Sequence, residues 1–404
     1  MARDLFKKAY WPLVALGAFY FAVLGLLMVP WIQNNAIYMH RMKVTWRQDL
    51  TKPEEFGFAK NQVAPFFLKT PDGEDIFVWH VLPLGLYKEH RESLVKQNTG
   101  LITSPLQSEN IKLLIADPEA RLIIHCMRSA QIAFTYHMLI YTRQNAGTVG
   151  ASWRPTYLRS LSAGDPSKIH IIALDYRGFG LSSGTPSEQG LITDGITAVN
   201  WAVNTLGISP SRIAVVGQSL GTAVAIGTAE KLATHPTSPV ELSAVVTIAG
   251  FSNMKELILT YNIFGWLPVL SPLRPYPFLQ GFFAKFIIDT WESDKRLASL
   301  IKSSKKLNFI VLHAYNDFDI PWQHSDRLFV TAANATQSGG ELTWLEIMGL
   351  REKTEFGEES YQNKWPTARS NGHSIEQWVV RWGGHNQVVA SAGTSVIVAK
   401  ALGL

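Results

Sequence analysis

From Arg121 to Trp382 the chain repeats one rhythm, a short and nearly unbroken apolar run followed by a longer mixed stretch. The runs are RLIIHC (121–126), KIHIIALDY (168–176), SRIAVVG (211–217), LSAVVTIAG (242–250), KLNFIVLHA (306–314) and SIEQWVVRW (374–382). Strands that are apolar on both sides, separated by helical stretches, predict an α/β fold with a mostly parallel sheet covered by helices on both faces. Ahead of them PFFLKTPDGEDIFVWHVLP (65–83) alternates apolar and polar residues around Asp72-Gly73, the pattern of a β-hairpin that starts the sheet. A helix is expected to open at Thr185-Pro186-Ser187-Glu188, which reads as a capping box with proline at the first helical position. Residues 251–300 interrupt the rhythm with aromatics, leucine and proline. They read as short helices and turns over the sheet, either an apolar cap above a lipid-accepting pocket or the packing of a long crossover.

The N-terminal pattern is different. Ala9 to Gln33 carries no charge and is about as long as the roughly 20 residues that cross a bilayer as a helix. We expect an N-terminal membrane anchor over 1–40, with its span at about 10–32, followed by one large α/β domain over 41–404 that includes the 251–300 segment. A cleaved signal peptide has a shorter apolar core and a small-residue cleavage site, which QNNAIY does not supply; a buried soluble helix is the remaining alternative. Trp11, Trp31 and Tyr38 suit the two membrane interfaces. Arg3, Lys7 and Lys8 abut the span, whereas Arg41, Lys43 and Arg47 start well beyond it. That asymmetry favours a cytoplasmic N-terminus and a lumenal or external body; the endoplasmic reticulum is taken as the expected compartment. The sequon Asn334-Ala335-Thr336 agrees with it.

Composition adds limits. With 404 residues, 47% of them hydrophobic and 17% charged, the chain can bury a large core. A net charge of +5 without any basic run argues against nucleic acid as a partner and tolerates an anionic membrane surface. The single cysteine, Cys126, excludes an internal disulfide and a multi-cysteine metal site.

The candidate chemistry lies in a GxSxG pattern, because a serine on a sharp turn between strand and helix holds its hydroxyl above the sheet. Two copies occur. Gly180–Gly184 lacks the strand before and the helix after, and reads as coincidence; Gly217-Gln218-Ser219-Leu220-Gly221 follows RIAVV and opens a helix-forming run. Ser219 is therefore the expected nucleophile. It needs a base, and the base needs a carboxylate to orient it. Asp317 follows the strand that ends near Ala314, with Asp319 as the substitute, and His385 follows the last strand after two glycines; His373 stands at the wrong end of that strand. A rival pair, His170 and Asp175, has the HxxxxD spacing of some acyltransferases, but its odd offset within a strand sends the side chains to opposite faces.

DYRGFGLSSGTPSEQGLITD (175–194), GQSLGTAVA (217–225), LHAYND (312–317) and GGHN (383–386) resemble the α/β-hydrolase family, and within it the membrane-anchored abhydrolase-domain lipases that hydrolyse monoacylglycerols and lysophosphatidylserine. The similarity covers about residues 65–402 and implies an α/β-hydrolase fold that cleaves lipid esters through an acyl-serine intermediate without metal or organic cofactor. The implied partners are the lipid ester and the bilayer; no protein partner is implied. Ala314 and Asn316 depart from residues common in such relatives.

A further departure concerns the oxyanion donors, expected from the N–H of Leu220 and from a loop after an early strand. In the family that loop reads histidine, glycine, asparagine, alanine, glycine. Here His125-Cys126 stops and Asn145-Ala146-Gly147 resumes, with 127–144 between. The run is either a real excursion, with Asn145 still donating its N–H, or translated non-coding sequence. The second account predicts that the tryptic peptide Ser129–Arg143 is absent from the native protein, and its detection by mass spectrometry would overturn it. Cys126 then reads as a chance small residue rather than a reactive thiol. The alternatives to a lipid esterase are a catalytically impaired anchored scaffold and a serine peptidase on the same triad.

Overall fold

The computed structural model describes residues 2–41, 48–127, 148–260, 262–263, 267–337, 339–366 and 372–404. Ten strands make one sheet: β1 (Val63–Lys69), β2 (Asp75–Val81), β3 (Arg121–Cys126), β4 (Ile169–Leu174), β5 (Ile213–Gln218), β6 (Ala244–Ile248), β7 (Asn308–Ala314), β8 (Glu352–Gly357), β9 (Ser360–Lys364) and β10 (Ser374–Val380). Their spatial order is β1, β2, β4, β3, β5, β6, β7, β10, β9, β8. The six central strands from β4 to β10 are parallel, and an antiparallel hairpin flanks them at each edge.

Strand alternation divides the apolar residues between two cores. Leu122 and Ile124 of β3 and Ile213 and Val215 of β5 face one, packed under helices α4 (Glu188–Asn200), α5 (Leu220–Ala233), α8 (Ser293–Ser303) and α9 (Gln323–Ala335). Ile123, Ala214 and Val216 face the other, under α3 (Arg154–Ser162) and α10 (Ala392–Ala401). This three-layer arrangement is the α/β-hydrolase fold that the motifs imply. Register then fixes where the chemistry can sit. Cys126 pairs with Gly217, Gln218 with Ile248 and Val380 with Ala314, so the loops after β3, β5, β6, β7 and β10 gather along one edge.

Arg177 explains part of the DYRGFG block. Its guanidinium bonds Asp72 at the tip of the first hairpin, at 2.6 and 3.1 Å, and Asp194 of α4, at 2.8 and 2.9 Å. The motif therefore ties the hairpin turn to the helical layer. The Gly180–Gly184 copy of GxSxG is structural as well, since Ser182 Oγ donates to the Asp175 carbonyl at 2.6 Å and accepts the Phe77 N–H at 2.8 Å.

Several boundaries differ from expectation. The apolar N-terminal helix α1 (Ala2–Leu27) ends at Leu27 rather than running to 32; Pro30 puts Val29 in extended backbone and starts a separate helix α2, Pro30–Tyr38. Tyr38 does not sit at an interface. It is fully buried and donates to Asp289 Oδ2 at 2.6 Å. Helix α4 starts two residues later than the expected box, with Ser187 rather than Thr185 as its cap accepting from the Gly190 N–H, and Pro186 lies outside it. The Asn334 amide donates to the Leu342 carbonyl and accepts its N–H, while Thr336 is buried and bonded to Trp365. Both sequon side chains thus have roles within the fold, and the sequon gives no separate support for the lumenal orientation.

Candidate active site

Ser219 stands between β5 and α5 with φ +55° and ψ −124°, left-handed backbone that non-glycine residues avoid. Its N–H is held by the Ile248 carbonyl at 3.0 Å. The turn closes because its neighbours are small. A Cβ on Gly217 would meet the Gly221 carbonyl at 2.2 Å, and one on Gly221 would meet the Cys126 carbonyl at 2.0 Å. Leu220 opens α5, so its N–H is among those a helix leaves without an internal acceptor, at the positive end of the helix dipole. The carbonyls of Cys126 and Met127 back directly onto Gly221, so the segment leaving β3 starts beside that N–H. Asn145 and the run 128–147 lie outside the described residues.

Asp317 is buried beyond β7 and has every lone pair occupied. Oδ2 receives His385 Nδ1 at 2.8 Å and His313 Nε2 at 3.2 Å, and Oδ1 accepts the N–H groups of Asp319 and Ile320 at 2.9 and 3.0 Å. Burial alone would raise this carboxyl's pKa, but the imidazoles of His385 and His313 outweigh it and hold the pKa well below the usual carboxylate range. A carboxylate only accepts, so His385 carries its proton on Nδ1 and presents Nε2 as an acceptor. Gly383 and Gly384, at φ +135° and +51°, turn the loop back, and Asn316 Oδ1 accepts the Gly384 N–H at 2.9 Å.

The structure thus joins Asp317 to His385, whereas Asp319 serves only as a backbone donor to Asp317. Ser219 comes to the same place less directly. Gln218 Nε2 donates to the His385 carbonyl at 2.9 Å, tying the residue before the serine to the imidazole's own backbone. His385 Nε2 is buried without a hydrogen-bond partner among the described residues, so no bond links it to the Ser219 hydroxyl. Such bonds are commonly long in the absence of substrate and tighten in the reacting complex. Asp317, Asp319 and His385 also bring ligand-type atoms within 4.8 Å of one another, but a cation there would have to displace the Asp317–His385 bond.

Other residues sort clearly. His170 and Asp175 are not brought together: His170 Nδ1 meets His80 Nε2 at 3.1 Å, while Asp175 Oδ1 accepts the Val149 N–H at 2.5 Å. Burial pushes the Asp175 carboxyl up to about 7 against the opposing pull of Arg154 and Val149. Burial also drives the Cys126 thiol up to about 12, which keeps it protonated and unreactive. His313 was not visible as a site residue from the sequence. Within an apolar strand it reads as core, and the only signal is its place four residues before Asp317. Because its two partners, Asp317 and the Ile320 carbonyl, both accept, Nε2 carries a proton and His313 positions the carboxylate.

A profile described as "Alpha/beta hydrolase family" matches residues 124–374. The lysophosphatidylserine lipase ABHD12 of Danio rerio is 26% identical over 351 residues, spanning 84% of this chain and 78% of its own. The human Protein ABHD12B is 28% identical over 301 residues, spanning 74% and 69%. Among solved structures, the Pyrococcus furiosus esterase Pf2001 aligns with TM-score 0.47 and 13% identity, over 87% of this chain and 92% of that one.

Proposed function

The chain belongs to the alpha/beta hydrolase family, and on that premise we propose that it is a membrane-anchored serine hydrolase cleaving carboxylic esters of lipids, of monoacylglycerol or lysophospholipid type. What carries the reading is the buried Asp317–His385 bond next to a serine held on strained backbone. Ser219 Oγ attacks the ester carbonyl carbon and its proton passes to His385 Nε2. Asp317 keeps the imidazole oriented and stabilises its cationic form. The oxyanion is met by the Leu220 N–H and by a donor from the segment after β3, where Asn145 is the candidate. Nε2 then protonates the leaving alkoxide, and water attacks the acyl-serine by the same route.

The lipid character rests on the relatives named as lysophosphatidylserine lipases and on α1, whose Tyr10–Leu27 stretch has a mean hydropathy of 1.8 and is long and apolar enough to cross a membrane. The flanking charges support a single-pass anchor with the catalytic body on the lumenal or external side, and we take the endoplasmic reticulum as the compartment. The test is a panel of monoacylglycerols, lysophospholipids, short p-nitrophenyl esters and peptide amides. Turnover of the long-chain lipid esters is expected; activity confined to the amides would favour a peptidase, and none on any substrate a scaffold.

A further inference from the structure

The cap contains α6 (Met254–Thr260) and a second helix whose outward face is unusually apolar. In α7 (Pro277–Ala284) and the turn after it, Phe278 is 83% exposed, and Phe282, Phe286 and Ile288 are also exposed, as is Tyr276 just before the helix. Phe278 and Phe282 stand four residues apart on one side of α7, and Phe286 in the turn after it meets Phe282. Phe282 also stacks edge-on against Phe283 and Phe286, at 5.4 and 5.3 Å between centroids, which holds the group together. Apolar surface of this kind on a folded protein marks an interaction site.

What lies against that surface is indicated by how the cap is fastened. Tyr20 of α1 donates to the Val269 carbonyl at 2.7 Å, Phe21 meets Phe283 at 6.3 Å, and Leu24 is buried with Leu270 and Leu273. From the other side Gln33 of α2 donates to the Phe286 carbonyl at 2.9 Å and accepts the Ile288 N–H at 2.8 Å. The cap is therefore strapped to the end of the apolar helix. At about 1.5 Å of rise per residue, contacts at Tyr20–Leu24 lie roughly 5 to 10 Å inside the C-terminal end of α1. That is the depth at which in-plane amphipathic helices rest, about 5 to 10 Å into the boundary between headgroups and acyl chains. The exposed cations Arg274 and Lys285 flank α7 and suit anionic headgroups.

We propose that α7 and the turn after it form a second membrane contact, lying in the bilayer interface beside the point where α1 emerges, so that a lipid ester reaches Ser219 from the membrane rather than from water. The inference rests on reading α1 as a membrane span. The cap is rooted beside the serine turn. The cap leaves after β6, whose Ile248 carbonyl holds the Ser219 N–H, and it closes on itself through Met254 N–H to the Thr290 carbonyl and Asp294 N–H to the Ser252 carbonyl, both at 2.9 Å.

The test uses full-length protein in phosphatidylcholine–phosphatidylserine vesicles, with single cysteines at Phe278→Cys, Leu16→Cys or Glu119→Cys carrying an environment-sensitive fluorophore; buried Cys126 stays unlabelled. Nitroxide-bearing phospholipids are the quenchers. Quenching at 16 and 278 roughly threefold above that at 119, with 278 responding best to a shallow nitroxide, is the expected result. Quenching at 16 with 278 behaving like 119 overturns the inference and leaves the anchor standing. Absence of quenching at 16 overturns the anchor, and the inference falls with it. As a second readout, combining Phe278→Ala and Phe282→Ala should lower hydrolysis of a long-chain ester in vesicles roughly tenfold and leave a soluble short-chain ester unchanged. An unchanged vesicle rate, or equal loss on both substrates, contradicts the proposal.

Discussion

Replacing Gly221 by alanine tests the packing that supports the serine turn. The new Cβ would stand 2.0 Å from the Cys126 carbonyl oxygen, 2.7 Å from its carbon and 2.8 Å from the Met127 carbonyl oxygen, whereas ordinary contact begins at 3.4 Å. All three atoms are main chain, so no rotamer relieves the overlap, and β3 and the head of α5 must separate by more than an ångström. Overpacking of this kind costs about 1 to 3 kcal/mol, offset in part by the roughly 1 kcal/mol that alanine gains over glycine in a helix. The larger effect falls on turnover. Separation pulls the Leu220 N–H away from the segment after β3, and loss of one oxyanion donor typically costs about 10² to 10³. We expect kcat on a short p-nitrophenyl ester to fall about 100-fold with KM little changed, and the melting temperature to drop by a few degrees. Gly393→Ala, at an exposed helix position whose Cβ meets nothing closer than 3.9 Å, serves as control and should leave both unchanged or slightly raise stability. Gly221→Ala with turnover within about threefold of wild type and unchanged melting would refute the reasoning.

Ser219→Gly and Ser219→Ala should both abolish turnover, but only glycine relaxes the φ of +55°, so it should be the more stable by about 1 kcal/mol in urea unfolding; equal stability would mean that the turn is not strained. His313→Ala should lower kcat about 10-fold or more by freeing Asp317 to tilt, and His313→Gln, which keeps an N–H, should recover much of it; indistinguishable variants would reduce His313 to packing. Because burial raises Asp175 to about 7, the folded state keeps a proton that the unfolded chain releases near pH 4, so this residue's contribution is full below about 4 and is lost as pH rises to 7. Asp175→Asn, which mimics the protonated form, should therefore stabilise the protein by up to a few kcal/mol at about pH 8 and by little at about pH 4; an equal effect at both would contradict the assignment.

The sheet was legible because its parallel strands are buried on both faces and leave unbroken apolar runs, as IIAL in β4 does. The hairpin β8–β9 was not, since Glu352, Lys353, Thr354 and Glu355 are exposed at the sheet edge and carry no apolar signal. Tyr38 reads as an interfacial tyrosine until α2 docks on the cap, a contact between residues 251 positions apart that no local pattern encodes. Ser219 and Leu220 follow from strand, turn and helix in sequence. Asp317 and Asp319 differ only in how the 316–320 loop folds, because the Asp319 N–H points into the Asp317 carboxylate. Pro30 was the available sign that the apolar helix stops early, and the long apolar stretch around it masked that sign.

The central claim is that the Ser219 hydroxyl becomes nucleophilic through His385 and Asp317. Treating full-length protein with a fluorophosphonate and mapping the adduct by peptide mass spectrometry tests it most directly. A single adduct on Ser219, strongly reduced in His385→Ala and absent in Ser219→Ala, is the predicted result. An adduct on another residue, or labelling of Ser219 that persists undiminished without His385, would contradict it.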